Sequence, residues 1–261
     1  MLTLEGVTKN FGGLRAVDDA TFTVPERSVT GLVGPNGAGK TTTFNLITGT
    51  LRADSGTISF RGQQLNGMSP QARVGRGIGR TFQDVRLFPE LSALENVAMA
   101  VPGQPGDHLG NVLARPIRVW RREREDRRFA RECLELVGFD LENCDRRARE
   151  LSYGEQKLIS LARLLALRVD LLLLDEPASG LDETSVAQLK SVVRNLIEAG
   201  KTVLLVEHNM LLVRELCDHA IFMNNGRVLE QGAPDDLMRD ERLQRIYLGA
   251  EDVDAPEGGE E

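Results

Sequence analysis

Eight consecutive residues, Gly34-Pro35-Asn36-Gly37-Ala38-Gly39-Lys40-Thr41, fit the pattern G-x-x-x-x-G-K-[ST]. Glycines at these positions let the backbone curl until successive N–H groups point at one anion. The loop opens into a helix N-terminus, whose partial positive charge favours the same anion. Lys40 adds a full charge able to reach the β- and γ-phosphates of a nucleotide. The Thr41 hydroxyl is of the kind that ligates Mg²⁺, and Thr42 is placed to donate to a phosphate. The chemistry predicted for this stretch is therefore the binding of a nucleoside triphosphate with its metal.

Two carboxylates and one serine add to it. Leu171-Leu172-Leu173-Leu174 is a continuous apolar run that ends in Asp175-Glu176-Pro177. Such a short run reads as a strand buried on both faces. Asp175 at its end stands where a Walker B aspartate holds Mg²⁺ through water or hydroxyl ligands. Glu176 follows directly and is placed to act as general base on a water in line with the γ-phosphate. Without the phosphate loop the pair would read as a cap after a strand. In Leu151-Ser152-Tyr153-Gly154-Glu155-Gln156, Ser152 and Glu155 have the spacing of a capping box that opens a helix. One reading is that they only cap that helix. The other is that a helix N-terminus, the Gly154 amide and the Ser152 hydroxyl form a second phosphate site, which suits two such chains facing each other.

The elements that must position these groups are legible from pattern. Val29 to Val33 reads as the strand before the loop, and Thr42 to Thr48, closed by Gly49, as the helix after it. Leu2–Val7 and Val17–Val24 alternate as half-buried strands, and Thr57–Phe60 is another, which together predict an antiparallel sheet beside the nucleotide core. Gly77–Phe82 reads as a core strand running into Gln83. Ser92 and Glu95 have capping-box spacing at a helix start, 101–116 reads as a loop, and 117–137 as a helix. That helix carries Arg118, Arg121, Arg122, Arg124, Arg127, Arg128 and Arg131 among Glu123, Glu125, Asp126 and Glu132. A solvated, salt-bridge-laced face is one reading; a patch for anionic lipid headgroups is the other. Helices over 155–168 and 183–199, an apolar strand Thr202–Val206 running into Glu207-His208, and a hairpin around Asn225-Gly226 complete the pattern. Strands alternating with helices predict an α/β fold with a mostly parallel sheet. Residues 251–261, with six acids and no base, are expected to be disordered.

Composition narrows the function classes. The chain has 261 residues, is 41% apolar and 27% charged, and has a formal charge of −7, so nothing global argues for a nucleic-acid partner. Cys133, Cys144 and Cys217 are odd in number and far apart, which fits a reducing compartment and no metal or disulfide framework. The opening Met1-Leu2-Thr3-Leu4-Glu5 has no cationic and apolar leader pattern, and no stretch approaches the roughly 18–20 apolar residues of a membrane span. Any membrane role is expected to come through a partner.

The phosphate loop, Gln83, the 151–156 segment, Leu171–Glu176, Ser179-Gly180-Leu181-Asp182 and His208 stand in the order and spacing of an ATP-binding cassette (ABC) ATPase, which the chain resembles over about residues 2–249. The segment at 151 departs from the commonest family form, Leu-Ser-Gly-Gly-Gln, at Tyr153 and Glu155. The resemblance implies a P-loop NTPase (RecA-like) α/β core with a mostly parallel sheet, an antiparallel β subdomain and an inserted α-helical subdomain at about 91–155, all within a cassette domain spanning 1–250. It implies ATP and Mg²⁺ as cofactors and a nucleotide-sandwich dimer with a second cassette or with itself. In such a dimer each ATP lies between Gly34–Thr42 of one chain and Ser152, Gly154 and Glu155 of the other. Thr41, Gln83 and Asp175 are implied as metal contacts, and Glu176, His208 and Gln83 as catalytic residues. Asp182 is implied at the dimer interface, and Phe11 and Val17 at the nucleotide, with Phe11 stacking on adenine.

Phe11–Val17, Arg80–Phe88, the 101–130 insertion, Tyr153 and the ending Ile246-Tyr247-Leu248-Gly249 look like the ATP-binding subunits of branched-chain amino-acid importers. That resemblance implies two membrane permease subunits as partners, an extracytoplasmic binding protein acting indirectly, and a peripheral place on the cytoplasmic face of the membrane. Alternatives are an importer of urea or short amides, a lipopolysaccharide-type exporter ATPase, a soluble ABC protein acting on ribosomes or DNA repair, and a catalytically dead regulatory cassette. One cassette without sustained heptads argues against the soluble kinds, and intact Lys40, Asp175, Glu176 and His208 against the dead one.

Overall fold

The computed structural model describes residues 1–81, 86–103 and 116–247. In chain order the strands are β1 (Leu2–Phe11), β2 (Leu14–Val24), β3 (Val29–Val33), β4 (Ser55–Phe60), β5 (Gln63–Gln64), β6 (Ile78–Arg80), β7 (Leu171–Asp175), β8 (Thr202–Val206), β9 (His219–Asn224) and β10 (Arg227–Gly232). The α-helices are α1 (Lys40–Thr48), α2 (Pro70–Gly75), α3 (Ala93–Ala98), α4 (Pro116–Leu136), α5 (Tyr153–Ala166), α6 (Glu183–Glu198), α7 (Met210–Leu216), α8 (Pro234–Arg239) and α9 (Glu241–Tyr247). The chain divides into two compact units, one of Met1–Pro70 with Val203–Glu261, the other Gln71–Thr202.

The first unit holds the antiparallel sheet in the order β2-β1-β4-β5. Leu2 and Leu4 on β1 and Ala20, Phe22 and Val24 on β2 are buried in alternation, while Val7 and Val17 are buried out of that phase, where the ladder shifts register between Leu4 and Lys9. β1 runs to Phe11 and β2 starts at Leu14, both longer than their apolar pattern, because the ladder continues through Lys9↔Val17 to Phe11↔Leu14. β3 lies between β8 and β9 and is parallel to both, and β10 closes the sheet edge as an antiparallel hairpin with β9. All five residues of β3 and of β8 are buried, as strands with neighbours on both sides and both faces covered must be. Gly31 of β3 lets α7 come close: a Cβ there would stand 3.1 Å from Cys217 Sγ and from Val213 Cγ1.

The second unit pairs β6 with β7 in parallel, Arg80 opposite Leu173. The strand expected at 77–82 is shorter, Ile78–Arg80, and Phe82 and Gln83 lie outside the described residues. α3 opens with the expected capping box of Ser92 and Glu95. Asn96, fully buried, donates to the carbonyls of Phe88, Leu91 and Ser92 and accepts from the Phe88 amide, pinning the loop that leads into α3. α4 buries Ala130, Cys133 and Leu134. It carries three i,i+4 ion pairs: Arg127–Glu123 and Arg128–Glu132 at the surface, and Arg122–Asp126 with the carboxylate buried. Pro116, expected in the preceding loop, instead opens the helix, a position where its missing N–H costs nothing. Residues 104–115 and the acidic tail 251–261 lie outside the described residues. Among the described residues no helix is long and apolar enough to cross a membrane.

Candidate functional site

The phosphate loop is built in the first unit. Gly34 has φ 146°, and a Cβ on it would stand 2.0 Å from the Met223 carbonyl oxygen of β9. Gly39 has φ 99°, and a Cβ on it would stand 2.4 Å from the Ala16 carbonyl oxygen of β2. Both glycines are thus required by conformation and by close approach. The hairpin turn Asn225-Gly226, both with positive φ, is the third wall: its Gly226 amide donates to Ala38 O at 3.1 Å. Asp18 fastens that wall to β2. Its carboxylate accepts from Arg227 at 2.7 Å and from Arg15 at 2.9 Å, and its amide donates to Gly226 O. The Arg227 hydrogen bond holds the Asp18 carboxyl below its ordinary value, against a smaller opposing effect of burial.

Lys40 is 9% exposed, and its Nζ donates to Gly34 O at 2.6 Å and Pro35 O at 2.8 Å, so the ammonium sits inside the loop. α1 starts from Gly39 with no side-chain cap, which leaves its first amides to an anion. Thr41 is exposed and Thr42 half-buried, while Thr43 turns inward to Gly39 O. Asn36 and Gly37 are exposed at the loop tip. Phe11, 46% exposed, offers a ring face with Lys9 Nζ 5.5 Å from its centroid. Val17 is 0% exposed, so of the two residues expected at the nucleotide Phe11 is the one that presents its side chain to solvent. His208 is exposed at the end of β8, directly before Asn209, which caps α7 by accepting from the Leu211 and Leu212 amides.

The carboxylates and the 151–156 segment are built in the second unit. β7 carries Leu171–Leu174 fully buried and delivers Asp175 half-buried at its end. Asp175 Oδ2 lies 2.5 Å from Arg80 Nη2 on the neighbouring β6. Glu176 has φ 45°, left-handed for a residue with a side chain, a strained geometry that recurs at functional sites. The chain then turns, with Ser179 N donating to Glu176 O at 3.1 Å and Leu181 N to Ala178 O at 3.2 Å. Asp182 ends the turn and caps α6 by accepting from Ser185 N at 2.7 Å, the contact that chiefly holds its carboxyl below the usual range. Ser152 and Glu155 form the expected capping box at the start of α5. The Ser152 hydroxyl also donates to Glu155 Oε2 at 2.7 Å and remains at the surface. Gly154 lets the starts of α5 and α6 meet, since a Cβ there would stand 3.0 Å from Ser185 Oγ.

Gln83 lies outside the described residues. Sequence reasoning missed Arg80, whose partner is 95 positions away, and Lys157, whose Nζ donates to Pro177 O at 3.0 Å and Ser179 O at 2.5 Å. The one local hint for Lys157 was its place one helical turn after Tyr153. Among the described residues no three His, Cys, Asp or Glu side chains cluster to hold a metal.

Residues 17–179, more than half of the chain, match the ABC transporter family model. BraF of Pseudomonas aeruginosa, a high-affinity branched-chain amino acid transport ATP-binding protein, is 37% identical over 95% of this chain and 98% of its own. LivG of Escherichia coli, of the same description, is 36% identical over 95% and 98%. The lipopolysaccharide export system ATP-binding protein LptB of Escherichia coli is 35% identical over 95% and 97%. Among solved structures, the ADP conformation of the ABC transporter cassette MJ1267 superposes with a TM-score of 0.81 at 29% identity, covering 95% of this chain and 98% of that one. The dimeric bacterial cassette MJ0796 superposes with a TM-score of 0.73 at 26% identity, covering 90% and 99%. With the glycine cradle around Lys40 and the Asp175-Glu176 strand end, these matches establish that the chain belongs to the ABC transporter family, as an ATP-binding, ATP-hydrolysing cassette of P-loop NTPase fold.

Proposed function

We propose that this cassette energises the uptake of branched-chain amino acids through partner permeases. The observation that carries the reading is likeness to BraF and LivG along almost the whole of all three chains. The absence, among the described residues, of a membrane-spanning helix is consistent with a peripheral subunit on the cytoplasmic face, held there by two permeases, with an extracytoplasmic binding protein acting indirectly.

The residues present fit MgATP. Three positive-φ glycines, Gly34, Gly37 and Gly39, curl the loop, the Lys40 ammonium lies within it, and α1 begins without a side-chain cap. Thr41 and Asp175 would hold Mg²⁺, with Gln83 contacting the metal and the attacking water. The metal supplies neutralisation of phosphate charge. Lys40, Thr42 and the loop amides bind and orient the phosphates, and Phe11 covers the base. Glu176 takes the proton of the attacking water, and His208 contacts the γ-phosphate. The dimeric state of MJ0796 supports a sandwich in which Ser152, Gly154 and Glu155 of one cassette close the ATP site of another, with Asp182 at the interface between them.

The test is uptake of radiolabelled leucine by source cells lacking the gene. Uptake is expected to fall to background, to return with the wild-type gene, and to stay at background with Glu176→Gln, whose purified protein still binds ATP. Unchanged uptake in the deletion strain overturns the importer reading. LptB, at nearly the same identity, favours one second reading: a deletion that spares leucine uptake but blocks delivery of lipopolysaccharide to the cell surface assigns the exporter role instead.

A further inference from the structure

We propose that Lys157 is the positioning residue that ties the start of α5 to the turn carrying Glu176, so that the two move together when nucleotide binds. The proposal rests on the two-cassette reading above. There, Ser152 and Gly154 at the start of α5 serve the ATP of the facing cassette, while Glu176 serves the ATP of its own.

The tie is short and charged. Lys157 Nζ reaches two carbonyl oxygens of the same turn, Pro177 O at 3.0 Å and Ser179 O at 2.5 Å. Hydrogen bonds from an ionised donor are roughly twice as strong as neutral ones. The second carbonyl belongs to the residue whose amide donates back to Glu176 O. The lysine therefore fixes the turn one hydrogen bond away from the catalytic carboxylate's own backbone. Glu176 needs such fixing, because its left-handed φ of 45° persists only where surrounding contacts over-determine it.

Tyr153 holds the lysine from the other side. Its ring centroid is 5.1 Å from Lys157 Nζ, and its Cε1 would lie 3.3 Å from a Cβ on Gly180. Tyr153, the departure from the commonest family form, thereby gains a specific role, because its ring lies on both the lysine and the turn. The packing beneath is incomplete. A cavity of about 50 Å³ is lined by Gly154, Lys157, Glu176, Leu181 and Ser185 among others. Lys157 thus connects the segment carrying Ser152 and Gly154 to the turn that follows Glu176.

The experiment compares Lys157→Met, Lys157→Arg and wild type as purified full chains. Lys157→Met is expected to bind ATP with unchanged affinity, because the phosphate loop is untouched. Its kcat is expected to fall about tenfold at a nearly unchanged KM, as a displaced catalytic group does. The Hill coefficient for ATP is expected to drop from about 2 to about 1 as the sites lose their coupling. Lys157→Arg, which keeps the charge and donors, is expected to recover at least half of kcat. Wild-type kcat and cooperativity in Lys157→Met overturn the proposal. So does an arginine variant as slow as the methionine one while melting at the wild-type temperature. If Lys157→Met does not fold, hydrogen exchange of Lys157→Gln decides: faster exchange at residues 178–182 supports the tie, and unchanged exchange overturns it. Glu176→Gln, run in parallel, separates the two readings. Hydrolysis by that variant defeats the general-base assignment, while the exchange difference still judges the tie.

Discussion

Arg80 Nη2 lies 2.5 Å from Asp175 Oδ2, with both side chains only 13% and 12% exposed. Adjacent parallel strands β6 and β7 bring them together, and each shields the other's charge. Removing one partner of a fully buried pair costs about 3–5 kcal/mol. The residual exposure of this one scales the expected cost of Arg80→Met to about 1–2 kcal/mol. The measurement is urea denaturation in EDTA without nucleotide, on Arg80→Met, Asp175→Asn and the double variant. The double variant should lose clearly less than the sum of the two singles. Strict additivity would mean that the contact contributes nothing to the nucleotide-free chain.

Glu176 gives a second prediction, from backbone rather than charge. A residue with a Cβ pays about 1–2 kcal/mol for a left-handed conformation that glycine adopts freely. Glu176→Ala and Glu176→Gly both remove the carboxylate and every contact it makes, so they differ at this position by one methyl group. With φ at 45°, the glycine variant should be the more stable by about 1 kcal/mol, after allowance for its greater freedom when unfolded. Both should lack hydrolysis. Equal stabilities, or a more stable alanine variant, would show that position 176 is unstrained. On that outcome, the carboxylate proposed as general base stands where the chain is more stable with no side chain.

What was legible in the sequence was chemistry carried by neighbours in the chain. The glycine loop, the apolar run into Asp175-Glu176 and the Ser152/Glu155 box are each complete within eight residues, and backbone geometry follows from their types. The alternation of strands and helices gave the α/β class for the same reason. What pattern did not give depends on partners brought in by tertiary structure. Arg80 meets Asp175 across 95 positions, and Lys157 meets Pro177 and Ser179 across 20 and 22. The Gly226 turn walls the phosphate loop only because β10 folds back beside β2. Helices α2, α7, α8 and α9, of six or seven residues each, are too short to show a 3.6-residue period.

The cysteines predict how stability depends on pH. Cys133, Cys144 and Cys217 are free and buried, so they should be silent to a thiol reagent at pH 8 in the native chain and all react in urea. Burial pushes the Cys217 thiol up to about 12, with help from the nearby Asp218 and Glu207 carboxylates. Burial, then Glu132, pushes Cys133 up to about 11. Unfolded, both ionise near the reference value of 9.0. Between that value and the folded ones, the unfolded chain binds fewer protons than the native chain, so stability falls as pH rises. Below the reference value both states keep the proton and the effect vanishes. Urea midpoints should therefore hold from pH 7 to about 8.5 and decline from about pH 9 upward. The contribution of the thiols is read by difference. A Cys133→Ala/Cys217→Ala chain starts less stable at pH 7 because of its smaller side chains, a deficit independent of pH. It should then lose less stability than wild type between pH 8 and pH 10.5, and the two curves should converge. Curves that stay parallel over that interval would mean that neither thiol keeps its proton in the native chain beyond the pH at which it ionises in the unfolded one.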